Sequence, residues 1–203
     1  FIKCMKGIMN NISTKKFKIS IVYNEPNGKK ILQPIITNKD INYIALGKDI
    51  KDSVEILKKQ KFDFLCYWEV NTDITNYLLP FYKPAKKQMA LWGFPVTSGI
   101  PQIDYFWSSK RFETEQSSEH YTEKLFCTNN LPTFYYRPTI PKNSFKSKSD
   151  LGFNENERLY LCSQNLRKIT PDFDKILGDI LREDHEGKIL LIHDKQKEIT
   201  NIM

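Results

Sequence analysis

The chain has 203 residues, 40% of them hydrophobic, and a net charge of +7. That length carries one large domain or two small ones with a real core, and no run of about 18 apolar residues is present, which excludes a membrane-spanning helix. The charge is uneven. Residues 1–61 hold 13 of the 31 Lys/Arg and 5 of the 24 Asp/Glu, a balance of +8, and the remainder balances to −1. The lysines come singly or in pairs, as at Lys15 and Lys16, Lys29 and Lys30, and Lys58 and Lys59, each beside apolar residues of one element. That is how solvated helix faces read, so no nucleic-acid partner is expected.

Residues 1–11 place Ile2, Met5, Ile8 and Met9 at helical spacing, continued by Ile12. Residues 17–23 (FKISIVY) alternate and are β-branched, which predicts a strand. A turn cluster at 24–28 and an ambiguous stretch at 29–36 follow. Residues 41–46 read as a second strand. Residues 49–60 read as a helix with Ile50, Val54 and Leu57 on one face, and with Asp49 or Asp52 at its positive end. Residues 61–68 (KFDFLCYW) form a continuous apolar run, the signature of a strand buried on both faces. Strand, helix, strand within about 30 residues predicts a βαβ unit and a parallel sheet. A helix over 75–82 stopped by Pro84, a strand at 88–92, a strand at 102–107, a helix around 113–121 and a strand at 124–127 complete this half.

Residues 91–105 (LWGFPVTSGIPQIDY) join two apolar runs through Gly93, Pro95, Gly99 and Pro101, with Thr97 and Ser98 between them. This is either an ordinary stiff surface connection or a binding loop at the mouth of a sheet. In open parallel sheets ligands bind beyond the carboxyl ends of the strands. Residues 69–73 and 93–99 are expected on one such rim. Asp104 reads as a base or as a structural carboxylate, with the structural role favoured.

Pro132, Pro138 and Pro141, then a Lys/Ser-rich run, mark a linker at 142–156 between a first domain at 1–141 and a second begun at 157–203. In the second, residues 159–162 form a short strand. Thr170, Pro171 and Asp172 start a helix whose apolar face is Phe173, Ile176, Leu177, Ile180 and Leu181. Residues 187–192 form the next strand. Gln164, Asn165, Arg167 and Lys168 fall between strand end and helix start, where free backbone N–H groups hold anions. The two cations either bind phosphate there or simply face solvent. No GxGxxG or GxxxxGK[ST] motif occurs, so dinucleotide and P-loop sites are unsupported. Cys4, Cys66, Cys127 and Cys162 form no CxxC pair and read as buried, reduced thiols of a cytoplasmic protein. His120, His185 and His193 have no metal spacing. The ends of the sequence carry neither an initiating Met nor a signal-peptide pattern, and a fragment of a longer protein is expected.

Residues 92–99 (WGFPVTSG) with Asp104 and Tyr105 resemble the G-[YF]-P-x-T-S-G…D-Y segment of the O-linked N-acetylglucosamine transferase family, including the SPINDLY-type and bacterial members. Residues 120–125 (HYTEKL) are similar to that family's [QH]-Y-[ST]-E-K-L. Leu131 and Pro132 with 135–138 (YYRP) resemble its L-P…YYRP run. Cys162 with 166–171 (LRKITP) resembles its C…L-x-K-I-x-P segment. The resemblance spans roughly residues 15–192.

It implies a GT-B-like α/β fold of two Rossmann-like parallel-sheet domains, both incomplete here. It implies an inverting, metal-free transfer of a sugar, N-acetylglucosamine, from a nucleotide donor such as UDP-GlcNAc to protein Ser/Thr hydroxyls. On this resemblance Lys168, with Arg167, takes the donor phosphates. Gln164 and Asn165 compete for the nucleotide, and Gly93, Phe94 and Pro95 lie against the sugar, in a cleft between the two domains. Tetratricopeptide repeats precede the catalytic region in many members. Two departures stand out: the family's first strand with its histidine loop would precede Phe1, and its His-Thr-Thr segment would follow Met203. An acidic family position aligns loosely with Glu25, and no catalytic base is assigned. The fragment alone is expected to be inactive. The other reading is a non-catalytic sugar-nucleotide or protein-binding module of the same fold.

Overall fold

The computed structural model describes residues 2–141 and 145–193. The start of the expected linker, residues 142–144, and the last residues, 194–203, lie outside the described residues, as does Phe1. The chain divides into two compact units, one ending at Arg137 and one beginning at Pro138.

The first unit opens with helix α1 (Ile2–Asn11), then β1 (Ser20–Tyr23), α2 (Gly28–Leu32) and β2 (Asn42–Ala45). Helix α3 (Ile50–Gln60) leads to β3 (Phe64–Tyr67). Asp49 caps α3 by accepting the Asp52 N–H at 2.9 Å. The helix ends at Lys61, which adopts the left-handed conformation (φ 52°). Helix α4 (Ile74–Leu78) tightens into a 3-10 turn (Leu79–Tyr82) ended by left-handed Lys83, shorter than the helix expected from the apolar pattern. Strands β4 (Lys87–Leu91), β5 (Tyr105–Ser109) and β6 (Lys124–Thr128) follow, with a 3-10 turn (Glu115–His120) in place of the helix expected around 113–121.

Every strand pair is parallel, as expected. β1 pairs with β2, and a separate sheet runs β3-β4-β5-β6. The β2-α3-β3 unit therefore has the expected elements, but its two strands are not hydrogen-bonded neighbours. α3 packs through Val54 and Leu57 on Leu65, Tyr67, Ala90 and Phe106 of the larger sheet. Gln88 is fully buried beneath it and satisfied, accepting from the Tyr67 hydroxyl at 2.7 Å and donating to the Pro80 and Gln102 carbonyls. The opposite face of the sheet is not covered in the same way. Phe64 is 54% exposed, Phe126 49%, and Cys66 is exposed as well. β3 is therefore buried on one face only, against the expectation of two.

Helix α1 and the segment after β6 hold each other. The Phe134 N–H donates to the Cys4 carbonyl at 3.0 Å, Cys4 Sγ meets the Tyr135 hydroxyl at 3.1 Å, and Asn11 Nδ2 donates to the Tyr136 hydroxyl. Gly7 makes the fit: a Cβ there would lie 2.5 Å from Phe134 Cγ. The four cysteines are free, but none is fully buried. Cys66 is exposed and Cys4, Cys127 and Cys162 are half-buried, because their strands and α1 each keep one open side.

In the second unit β7 (Arg158–Cys162) and β8 (Gly187–Leu191) pair in parallel around helix α5 (Pro171–Glu183). Thr170 holds the N-cap position of α5 with an extended backbone, though its hydroxyl makes no capping bond. Arg158 grips Asp184 with two guanidinium nitrogens, and the Tyr160 hydroxyl adds a third bond at 2.9 Å. α5 buries no residue fully. Its expected apolar face leaves Ile176 52% and Leu181 41% exposed, because a two-stranded sheet is too narrow to cover it.

Candidate functional site

Parallel pairing puts the loops after β3 and β4 on one rim of the larger sheet. They touch at Gly93. A Cβ on Gly93 would lie 2.4 Å from the Trp68 carbonyl and 2.7 Å from its ring, so only glycine lets the two loops close on each other. Trp68 stands edge-on to Trp92 at 5.7 Å between centroids, and Trp92 lies 6.3 Å from Phe112. Gly93, Phe94 and Pro95 thus start from an aromatic wall. Phe94 closes a tight turn by accepting the Val96 N–H at 2.9 Å. Pro95 is exposed and Phe94 half-buried.

Thr97 and Ser98 are not free to meet a ligand. Both are bound to Glu123, which is 5% exposed. Glu123 Oε2 accepts from Thr97 Oγ1 at 2.7 Å, and Oε1 accepts from the Ser98 N–H at 2.8 Å and from the Ser98 hydroxyl. Burial works against the charge of Glu123, but the bonds from Ser98 and Thr97 outweigh it and hold its pKa below the usual value. Gly99 then turns with φ 68°. The stiffness of the loop comes from this carboxylate as much as from its Gly and Pro residues. Glu123 lies in the HYTEKL stretch, and sequence reasoning gave it no role, because nothing local links it to residues 25 positions earlier.

On the same rim, Glu69 accepts from Trp68 Nε1 at 2.9 Å and from Thr72 Oγ1 at 2.8 Å. Asp73 caps α4 by accepting the Asn76 N–H. Asp104 is a structural carboxylate. It accepts from Lys83 and Lys87, each at 2.7 Å, and from the Gln88 N–H at 2.9 Å. Partial burial opposes its charge, yet these three donors hold its pKa at about 2. A carboxylate so stabilised is a poor proton acceptor near neutrality. Glu25 is an exposed residue of the turn after β1.

In the second unit the predicted residues sit together between β7 and α5. Leu166 is buried and anchors a 3-10 turn (Leu166–Lys168). Asn165 caps that turn through the Arg167 N–H at 3.0 Å, and Gln164 Oε1 accepts the Asn165 N–H at 2.8 Å. Arg167 and Lys168 are exposed, and Lys168 has no ion-pair partner among the described residues. Asp172 and Asp174 occupy the first turn of α5. They already complement the positive end of that helix, so attraction for an anion here falls to Lys168 and Arg167. The structure thus brings Gln164, Asn165, Arg167 and Lys168 together in one unit, and Gly93, Phe94 and Pro95 together in the other. Two open recesses, of about 300 and 330 Å³, contain none of these seven residues. Among the described residues no three His, Cys, Asp or Glu side chains converge as a metal site would require.

No protein-family profile matches the chain. Among curated proteins it is 29% identical over 118 residues to the probable UDP-N-acetylglucosamine--peptide N-acetylglucosaminyltransferase SEC of Arabidopsis thaliana, covering 54% of this chain and 12% of that protein. Among solved structures it matches a mutant O-GlcNAc transferase of Thermobaculum terrenum with a TM-score of 0.71, at 14% identity, over 92% of this chain and 35% of the other. The chain is similar to part of an O-GlcNAc transferase. Its fold is the GT-B-like α/β fold, built on parallel sheets. It spans only about an eighth of the curated relative and about a third of the solved one. No helix among the described residues is long and apolar enough to cross a membrane.

Proposed function

We propose that the chain is part of a glycosyltransferase that moves N-acetylglucosamine from UDP-GlcNAc to Ser or Thr hydroxyls of proteins. The observation that carries this reading is the Gly93 turn. It is a tight turn closed directly against Trp68 and flanked by Trp92, and the residues after it are held by the Glu123 clamp. It occurs in a chain similar to O-GlcNAc transferases. A rigid turn suits a sugar ring, whose hydroxyls are read by short hydrogen bonds at fixed geometry.

In this reading Gly93, Phe94 and Pro95 contact the sugar, Gln164 or Asn165 the nucleotide, and Lys168 with Arg167 the diphosphate. The acceptor hydroxyl attacks the anomeric carbon from the face opposite the leaving group, and its proton passes to solvent water. The bond to the phosphate oxygen breaks, and configuration inverts. Negative charge grows on the leaving phosphate, where the Lys168 ammonium stabilises it without a metal ion. The full-length protein is read as cytoplasmic, with tetratricopeptide repeats N-terminal to this region. The domain limits are read as 1–141 and 157–203 with a linker between. The 203-residue chain by itself should be nearly inactive, because it spans about a third of the solved relative.

The test is glycosyl transfer by the full-length protein, with UDP-GlcNAc and a Ser/Thr peptide. Lys168→Ala should lower kcat by about 10²–10³, the scale on which losing one donor to a developing oxyanion is felt. A wild-type protein that transfers no sugar, or a Lys168→Ala variant as active as wild type, sinks the proposal.

A further inference from the structure

Glu123 and Asp104 spend their charge on the loop that follows β4. Glu123 accepts from Thr97, Ser98 and Thr122, and Asp104 from Lys83, Lys87 and the Gln88 N–H. Glu69, on the loop after β3, is different. It is half-buried, and its two donors are the neutral Trp68 indole and Thr72 hydroxyl. Among the described residues no cation pairs with it.

An ionised carboxylate offers about four acceptor positions on its two oxygens. Trp68 Nε1 takes one on Oε1, and Thr72 Oγ1 takes one on Oε2. One position on each oxygen is left, and the two lie side by side. The group is also fixed in place. Val70, the next residue, is 3% exposed in the core, and Asp73 caps α4 a few residues on. A side chain fixed before a ligand arrives loses little freedom on binding it.

This carboxylate borders the turn read as the seat of the sugar. A Cβ on Gly93 would lie 2.9 Å from Trp68 Nε1, and that same N–H is bound to Glu69 Oε1 at 2.9 Å. N-acetylglucosamine carried on a nucleotide has one pair of free hydroxyls on adjacent carbons, at C3 and C4. Its C2 bears the acetamido group and its C1 the phosphate. Two neighbouring hydroxyls, each donating one proton, match two neighbouring open acceptors.

We infer that Glu69 is a specificity-determining residue of the donor site, its carboxylate accepting the C3 and C4 hydroxyls of the transferred sugar, one on each oxygen. The inference rests on the glycosyltransferase reading and adds the side chain that selects the sugar. A donor lacking either hydroxyl leaves one carboxylate oxygen desolvated without a partner, which is how a polar site rejects an analogue.

The test uses the full-length protein, a Ser/Thr peptide, and three donors: UDP-GlcNAc and its 3-deoxy and 4-deoxy analogues. With wild type each analogue should lose about 15–150-fold in kcat/KM, the range of a hydrogen bond to a charged acceptor. Glu69→Gln can keep the loop, with its carbonyl on the Trp68 N–H and its NH₂ on the Thr72 oxygen. In that variant each analogue should lose only about fivefold, the size of a neutral bond. A loop merely weakened by the substitution lowers all three donors alike and leaves the ratios unchanged, which overturns the inference. Equal turnover of the three donors by wild type overturns it without any variant. Both results leave the proposed function standing, whereas a wild type that transfers no sugar from any donor overturns both.

Discussion

Replacing Glu123 with Gln tests whether a charge holds the 97–99 loop. Glu123 is 5% exposed, so its bonds compete little with water. Thr97 Oγ1 already accepts the Thr122 N–H at 3.1 Å, which leaves its proton for Glu123. Thr122 Oγ1 donates to the same carboxylate oxygen at 3.2 Å. A glutamine that keeps its carbonyl toward Ser98 must set its NH₂ against these two donors. Bonds to a charged acceptor contribute about 1.5–3 kcal/mol and neutral ones about 1 kcal/mol. Weakening the Ser98 pair and losing the acceptor on the Thr97 side should together cost roughly 2–4 kcal/mol. Trp68, Trp92 and Trp107 are the chain's three tryptophans and all lie in the first unit, so their fluorescence reports that unit alone. With a urea slope of about 1–3 kcal/mol/M, the unfolding midpoint should fall by about 1 M or more.

The pH dependence isolates the charge. The folded pKa of Glu123 is depressed. Its contribution is therefore complete above the unfolded value of about 4.3 and is lost as pH falls through the folded value. The gap between wild type and variant should narrow on acidification below about pH 4.3. A stability change under about 0.5 kcal/mol, the ordinary range for surface substitutions, refutes the clamp, and a gap unchanged by pH refutes the charge.

Gly93→Ala should destabilise the first unit by about 1–3 kcal/mol, because the new methyl meets the Trp68 carbonyl and ring and the backbone must move. An unaltered urea midpoint would show that the two loops are not in contact. Asp104→Asn should cost about 1 kcal/mol, a value reduced for the exposure of Lys83 and Lys87 at 40% and 48%. The folded Asp104 pKa is about 2, so its stabilisation is present above the unfolded value of about 3.9 and disappears between about pH 4 and 2. Urea melts of both proteins across that range should converge at the acid end.

The strand-helix alternation and the parallel pairing were legible because period and turn chemistry are local signals. The run at 61–68 predicted a strand in the right place and misjudged its surroundings, since apolar content reveals what a face can bury, not whether anything covers it. Phe64 and Cys66 are the cases in point. The same reason explains the exposed part of α5. The rim was legible as well, since parallel pairing puts residues 69–73 and 93–99 beyond the carboxyl ends of β3 and β4, but the contact with Gly93 comes from Trp68, which read as the end of the strand. Glu123 was not, because a carboxylate ahead of a strand looks the same whether it faces water or two hydroxyls brought from elsewhere. Asp172 read well as a helix start, and its effect on anion attraction emerged only beside Asp174 in the folded turn.

The seat of Phe134 against Gly7 sets an order of events during synthesis. α1 leaves the ribosome before the strands of its unit, yet its partners at 134–136 stand up to 131 positions later. The intervening strands emerge while the helix still lacks that neighbour. Domains generally settle as units during translation, so the last step for this one belongs to the emergence of Phe134, Tyr135 and Tyr136. A nascent chain halted before that segment clears the exit should keep α1 open to protease, and one halted after it should not.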